Sequence, residues 1–192
     1  HFATYYEPFV GSGGVLGVLA PKQAVASDAF SPLVEIWQTL HDDRALLKRQ
    51  YAERHALIAV MGKKKSYDHV LARYNAKPNG ADLLFLCRAC YGGVVRFRKA
   101  DGYMSTPVGA HSPVPPESFA RRVDLWHERT KGTRFLHADF ADAMKAAKRG
   151  DFHHATRTGA LEGDVDLLAL HIGQFDIAVV ALQHRPNRFE DL

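Results

Sequence analysis

Apolar and polar positions change period several times along the chain, and each change marks an element. Residues 4–10 are an aromatic and apolar run that predicts a short buried strand, and residues 14–20 read as the start of a helix. Between them lies the turn Gly11-Ser12-Gly13-Gly14. Residues 23–27 predict a second strand that ends at Asp28. From Pro32 to Leu40, the positions Leu33, Ile36, Trp37 and Leu40 have helical spacing. Residues 42–60 are charged but carry a stripe of Leu46, Leu47, Tyr51, His55, Ile58 and Ala59, which predicts a second helix. Gly62-Lys63-Lys64-Lys65 interrupts it, a helix from about Ser66 to Tyr74 follows, and Lys77-Pro78-Asn79-Gly80 is a loop. Residues 81–91 are strongly apolar and predict a helix.

Gly92-Gly93 breaks that helix, and Val94 to Arg98 reads as a strand. Lys99-Ala100-Asp101-Gly102 carries a hairpin signal, with Tyr103 to Val108 as the returning arm. His111 to Pro116 is a proline-rich loop that leads into a helix over Ser118–Thr130. Thr133 to His137 predicts a strand, and Phe140 to Lys148 a helix stopped by Gly150. Val165 to Leu170 and Phe175 to Leu182 are apolar enough for a helix or two strands.

At 192 residues, the chain has room for one sizeable core, or for one core with an inserted subdomain. No apolar run approaches the roughly 20 residues that span a bilayer, and the N-terminus has no basic region followed by a long apolar stretch. These features point to a cytoplasmic protein without a membrane partner. The chain opens on His1 rather than Met, which reads as a fragment. Nothing in the residues defines an oligomeric state. The net charge of +4 is uneven. Residues 37–127 hold 15 Lys or Arg against 8 Asp or Glu, a net +7, and the flanks hold 10 against 13, a net −3. A basic middle fits a polyanion, and it fits equally a solvated helical surface.

The candidate chemistry starts at the glycine turn. Glycine suits backbone that takes positive φ or passes close to a ligand. A strand that ends in such a turn and opens a helix suits a nucleotide-like ligand, although a plain turn between buried elements has the same pattern. Asp28, at the end of the second strand, sits where a carboxylate accepts hydrogen bonds from ribose hydroxyls, or where Asp simply begins a helix. Cys87 and Cys90 have Cys-x-x-Cys spacing, but no second pair completes four zinc ligands. Two buried thiols in a reducing compartment account better for them. In the hairpin region, Arg88, Arg96, Arg98 and Lys99 supply charge, and Tyr91, Phe97 and Tyr103 supply flat apolar surface. A ribbon of this kind fits a DNA major groove, with an aromatic to wedge between bases. The alternative is an exposed hairpin with ordinary charge decoration.

Five blocks in order carry a family resemblance. They are Tyr5-Tyr6-Glu7-Pro8-Phe9-Val10-Gly11-Ser12-Gly13-Gly14-Val15, then Ser27-Asp28, then Phe85 to Arg96, then Gly102-Tyr103-Met104-Ser105-Thr106-Pro107-Val108-Gly109, then Ala138-Asp139-Phe140. Over about residues 4–151 the chain resembles the Dam-type (D12 class) adenine-N6-specific DNA methyltransferases. The resemblance implies an α/β fold: a partial Rossmann-like S-adenosylmethionine-dependent methyltransferase core with an inserted helical plus β-hairpin target-recognition subdomain. Residues 1–37 would begin the core, 38–127 form the insert, and 128–192 return to the core. It implies double-stranded DNA as partner, S-adenosylmethionine as cofactor and no metal. Pro8, Phe9, Gly11 and Gly13 would surround the methionine part of the cofactor and Asp28 its ribose. Asp139 and Phe140 would pack the cofactor end of the pocket. Tyr91 would wedge into the base stack, Arg96 would contact base or phosphate, Arg88 and Arg98 would add charge toward DNA, and Pro107 would line the hairpin.

The chain also departs from that pattern. The family's catalytic Asp-Pro-Pro-Tyr follows a Gly-Asp such as Gly150-Asp151, and its acceptors grip the adenine amino group while its Tyr stacks on the flipped base. Here the chain reads Gly150-Asp151-Phe152-His153-His154-Ala155-Thr156-Arg157, and no Asp-Pro-Pro-Tyr occurs in the 192 residues. No catalytic residue is therefore assigned. A frameshift or splice at about residues 152–155 is expected. Codons for residues 154–157, read in another frame, can encode Cys-Asp-Pro. The rival expectation is a genuine C-terminus on a relative that binds DNA or cofactor without methylating. The family's N-terminal Gly-Gly-Lys segment would precede His1. Gly92 stands where an Asn is usual and Ala110 where a basic residue is usual, which leaves the DNA recognition sequence open. A nucleotide-binding enzyme with an unrelated basic insert would explain the first block alone.

Overall fold

The computed structural model describes residues 2–153. The apolar segments expected at Val165–Leu170 and Phe175–Leu182 lie outside the described residues. Strands β1 (Tyr5–Glu7), β2 (Ala24–Asp28), β3 (Thr133–His137) and β4 (Phe152–His153) pair in parallel in the order β3-β2-β1-β4. Helix α1 (Gly14–Leu19) joins β1 to β2. Between β2 and β3 run α2 (Ser31–Asp42), α3 (Arg44–Met61), α4 (Lys63–Ala76), α5 (Gly80–Ala89), a hairpin and α6 (Pro116–Thr130). Helix α7 (Phe140–Met144) leads from β3 to β4. This is an α/β arrangement around a small parallel sheet. Its strand order is one end of the doubly wound pattern, in which the order of adding strands reverses between β1 and β4.

Local chemistry accounts for the boundaries. Pro32 stands at the start of α2, where its missing N–H costs nothing. Asp43 starts α3 by accepting from the Leu46 N–H at 2.9 Å, and Asn79 starts α5 by accepting from the Asp82 N–H at 2.9 Å. Gly62 separates α3 from α4, so the lysine run begins the fourth helix instead of preceding it. The apolar stripe expected on α3 narrows to Leu47 and Tyr51. His55 and Ile58 are half-buried and Ala59 is exposed. The hairpin arms meet at isolated bridges, Cys90 with Val108 and Phe97 with Met104, rather than in a continuous ladder. Helix α7 stops at Met144, short of the expected Lys148.

One apolar cluster runs from Tyr5, Leu16 and Trp37 through Leu83–Leu86 to Val95 and Met104. Trp37 is its aromatic centre, stacked on Phe135 at 5.1 Å and tilted against Trp126 at 5.3 Å between ring centroids. A second fixed point is Asp82, whose side chain is fully buried. It accepts from Arg54 Nε at 2.7 Å, Arg73 Nε at 2.8 Å and Asn79 Nδ2 at 2.9 Å, which ties α3, α4 and α5 together. Burial pushes this carboxyl up, but the hydrogen bonds from Arg73, Asn79 and Arg54 outweigh it and hold the group below its ordinary value. Asp82→Ala is expected to cost about 3 kcal/mol, because it strands the mostly buried Arg54 without its counter-charge. A depressed carboxylate contributes stability that is present above its unfolded-state pKa and lost as pH falls through the folded one. Denaturant midpoints of parent and variant should therefore converge below about pH 4.

Candidate cofactor site and nucleic-acid surface

The expected cofactor residues gather at the C-terminal ends of β1, β2 and β3. In open parallel sheets that edge, at the point of strand reversal, is where ligands bind. Pro8 is buried directly after β1, and its carbonyl accepts from Ser27 Oγ at 3.4 Å. Phe9 and Phe140 are 47% and 48% exposed yet stack on each other at 5.7 Å and 21°. A flat apolar surface thus faces outward between the end of β1 and the start of α7. Asp139 is exposed, and its Oδ1 accepts from the Ala141 N–H at 2.8 Å to start α7.

The glycine turn is held from two sides. The Gly11 N–H donates to Asp28 Oδ2 at 3.2 Å, and Trp37 Nε1 donates to the Gly11 carbonyl at 3.0 Å. Asp28 Oδ1 accepts from the Phe30 N–H at 3.0 Å. Burial raises the Asp28 carboxyl above its ordinary value, against hydrogen bonds from the Phe30, Gly11 and Ala29 backbone and the nearby His137. Each carboxylate oxygen accepts more than one bond, so Asp28 keeps acceptor capacity for ligand hydroxyls. Gly11 and Gly13 have φ of 47° and 67°. A Cβ on Gly13 would also sit 2.7 Å from the Trp37 ring, so this position excludes every other residue type.

The hairpin forms a separate surface. Tyr91 is 68% exposed, and its N–H donates to the carbonyl of the exposed Pro107 at 2.8 Å. Arg96 is exposed, with its backbone N–H bonded to Thr106 Oγ1 at 2.7 Å. Arg98 pairs with Asp101 at 2.6 Å and lies 4.2 Å over the Tyr103 ring. Arg88 is set apart from these: it is half-buried in the last turn of α5, close enough to Tyr51 to influence its hydroxyl. Cys87 and Cys90 are buried free thiols, and burial pushes Cys90 up to about 11. Among the described residues, no group of three or more His, Cys, Asp or Glu is disposed to hold a metal, and no helix is long and apolar enough to cross a membrane.

Sequence reasoning missed the anchors behind this surface. On α4, Tyr67 donates to the Thr106 carbonyl at 2.6 Å, and Asn75 exchanges bonds with both the carbonyl and the N–H of Met104. Lys63 Nζ donates to the carbonyls of Gly109 at 2.9 Å and Ala110 at 2.6 Å. Tyr67, Val70 and Tyr74 do carry a helical apolar spacing, but nothing local names their partner. Glu7, buried at the end of β1, was likewise passed over.

The family model for D12 class N6 adenine-specific DNA methyltransferases matches residues 2–153. The chain belongs to that family. It is 22% identical over 153 residues to a Type II methyltransferase, M1.LlaDCHI, of Lactococcus lactis subsp. cremoris, covering 77% of this chain and 54% of that protein. It is 24% identical over 149 residues to a DNA N-6-adenine-methyltransferase of Escherichia phage P1, covering 76% of this chain and 19% of that protein. The chain thus spans about half of the first relative and a fifth of the second. The family match takes in both the glycine turn and the hairpin. Gly13→Ala is expected to lower stability by about 2–4 kcal/mol, from its left-handed backbone and the Trp37 clash together. A denaturant midpoint unchanged from the parent would show that the turn relaxes freely.

Proposed function

We propose that this chain is the cofactor-gripping and DNA-reading portion of an adenine-N6 DNA methyltransferase that uses S-adenosylmethionine, and that it is catalytically incomplete by itself. The observation that carries the reading is the glycine turn bonded to Asp28 at the strand-reversal point of the sheet. The fit to the cofactor rests on three features of this edge: a turn closed to side chains at Gly13, an outward-facing aromatic pair, and a carboxylate with spare acceptor capacity. Pro8, Phe9, Gly11 and Gly13 would hold the methionine end, and Asp28 the ribose. Asp139 and Phe140 would line the far side. Bound S-adenosylmethionine supplies an electrophilic methyl group. The protein's own part is to orient that group and exclude water around it, so that the adenine amino nitrogen meets it in line.

Residues 38–127 act in this reading as the target-recognition subdomain between core segments 1–37 and 128–192. Support comes from their net +7 and from the exposure of Tyr91, Arg96 and Arg98. Tyr91 would wedge into the duplex, Arg96 and Arg98 would meet bases or phosphates, and Pro107 would brace the arm beneath Tyr91. Arg88, being half-buried, would add field rather than contact. The acceptors that grip the adenine are missing from residues 150–157, where the chain reads Gly-Asp-Phe-His-His-Ala-Thr-Arg. An intact Asp-Pro-Pro-Tyr frame downstream in the coding DNA would establish a frameshift, and its absence would favour a non-catalytic DNA- or cofactor-binding relative.

Binding of labelled S-adenosylmethionine tests the cofactor half: Asp28→Ala should weaken it by roughly tenfold, and unchanged affinity would remove Asp28 from the site. Duplex binding should weaken with salt, and Arg96→Ala should weaken it by roughly fivefold or more. Methyl transfer by this 192-residue chain should be undetectable, and transfer above background would refute its incompleteness.

A further inference from the structure

The two arms of the hairpin meet at isolated bridges, Cys90 with Val108 and Phe97 with Met104. Arg96 lies between those bridges in sequence, where no continuous ladder serves its peptide groups, and such groups need partners when they leave water. Residues 105 and 106 of the returning arm supply them. The Ser105 N–H donates to the Arg96 carbonyl at 2.9 Å, and the Arg96 N–H donates to Thr106 Oγ1 at 2.7 Å. The same hydroxyl donates to the Val94 carbonyl at 3.1 Å. A threonine hydroxyl has one proton to give and lone pairs to accept with, and Thr106 spends both functions on the outgoing arm. Thr106 is only 3% exposed. Its β-branch restricts the side chain, and the following Pro107 biases its backbone toward the extended region. Helix α4 holds this arm from the other side. Tyr67 donates to the Thr106 carbonyl at 2.6 Å, and Asn75 bonds the N–H and the carbonyl of Met104 at 2.7 and 3.1 Å.

We infer that Thr106 is a positioning residue for DNA recognition: its buried hydroxyl stands in for the missing ladder and fixes the backbone of Arg96, so that the guanidinium leaves the hairpin from a set point. The inference rests on the DNA reading above, which gives Arg96 a base or phosphate to contact. The next residue extends the arrangement, since the Pro107 carbonyl accepts from the Tyr91 N–H at 2.8 Å. Consecutive residues of the returning arm thus hold both Tyr91 and Arg96, and they set the spacing between aromatic and cation. Arg98 is fixed differently, within the tip, by Asp101 and the Tyr103 ring. Arg96 is exposed and long, and ordering such a side chain on binding costs affinity. Fixing its root in advance lowers that cost. Valine has the shape of threonine but would leave the Arg96 N–H and the Val94 carbonyl without this partner. Serine would keep it.

Fluorescence anisotropy with a short labelled duplex, selected by the parent protein from a randomised pool, tests this with Thr106→Val, Thr106→Ser, Arg96→Ala and the Thr106→Val, Arg96→Ala double variant. Thr106→Val should weaken binding by roughly threefold to tenfold, and Thr106→Ser should bind as the parent does. The double variant should bind as Arg96→Ala does, because the lost hydroxyl acts through that side chain. Losses that add overturn the inference, as does a Thr106→Val protein with parent affinity. Amide hydrogen exchange without DNA reads the clamp itself. Thr106→Val should speed exchange several-fold at Arg96 and leave it unchanged at Gly109, whose N–H donates to the Ala89 carbonyl at 2.8 Å. Equal acceleration at both amides marks a loosening of the whole hairpin and overturns the inference. Parent affinity in Arg96→Ala overturns the DNA reading of that residue. Faster exchange at Arg96 alone then leaves Thr106 as a structural tie without a positioning role.

Discussion

The contact between the Gly11 amide and the Asp28 carboxylate joins the ends of two parallel strands through a loop that has almost no side chains of its own. Such a loop gains little from packing, so its shape must be imposed from outside. Asp28 holds the Gly11 N–H and Trp37 holds the Gly11 carbonyl, so one peptide-flanked residue is fixed at both its polar groups. The Trp37 ring then fills the space where a Gly13 side chain would lie, and its far face rests on Phe135 and Trp126. The position of the glycine turn is in this way inherited from α2, α6 and β3 together. Loss of that aromatic stack would be felt at the glycine turn before it was felt in the sheet.

Two kinds of constraint divide the molecule. At the sheet edge the chain is defined by exclusion: positive φ, a Trp ring at contact distance, a helix start that cannot carry its own cap. Under the hairpin it is defined by polar anchoring. Tyr67, Asn75 and Lys63 hold main-chain groups of residues 104–110, while Asp82 locks the helices that carry them. The first constraint tolerates almost no change in residue type. The second grips backbone and leaves the outward side chains unconstrained.

That division also explains what could be read from residues alone. The β1–turn–α1 unit, the strand ending at Asp28 and the helical spacing of α2 were legible because their signals are local: an apolar run, a glycine cluster, a period. Helix α3 was legible as a helix, but its buried face was not, since which of Leu46, Leu47 and Ile58 turns inward depends on α4, α5 and α6 arriving later in the chain. The Asp82 cluster draws on Arg54 and Arg73, 28 and 9 residues away, and charged residues at such distances look like solvated surface. Glu7 was hidden for a similar reason: a Glu after two tyrosines reads as the polar position of a strand, and nothing local marks its burial. The hairpin arms were foreseen, but their sparse pairing was not, because the anchors that replace the ladder sit on α4.

The sparse pairing has an evolutionary consequence. Residues 98–102 at the hairpin tip bond mainly to one another, through Arg98, Asp101 and Gly102, and Gly102 takes the left-handed φ of 69° that closes the turn. Substitutions at the exposed Lys99 and Ala100 are therefore nearly invisible to the rest of the fold. Those two positions can therefore vary while the anchored base presents the tip in the same place.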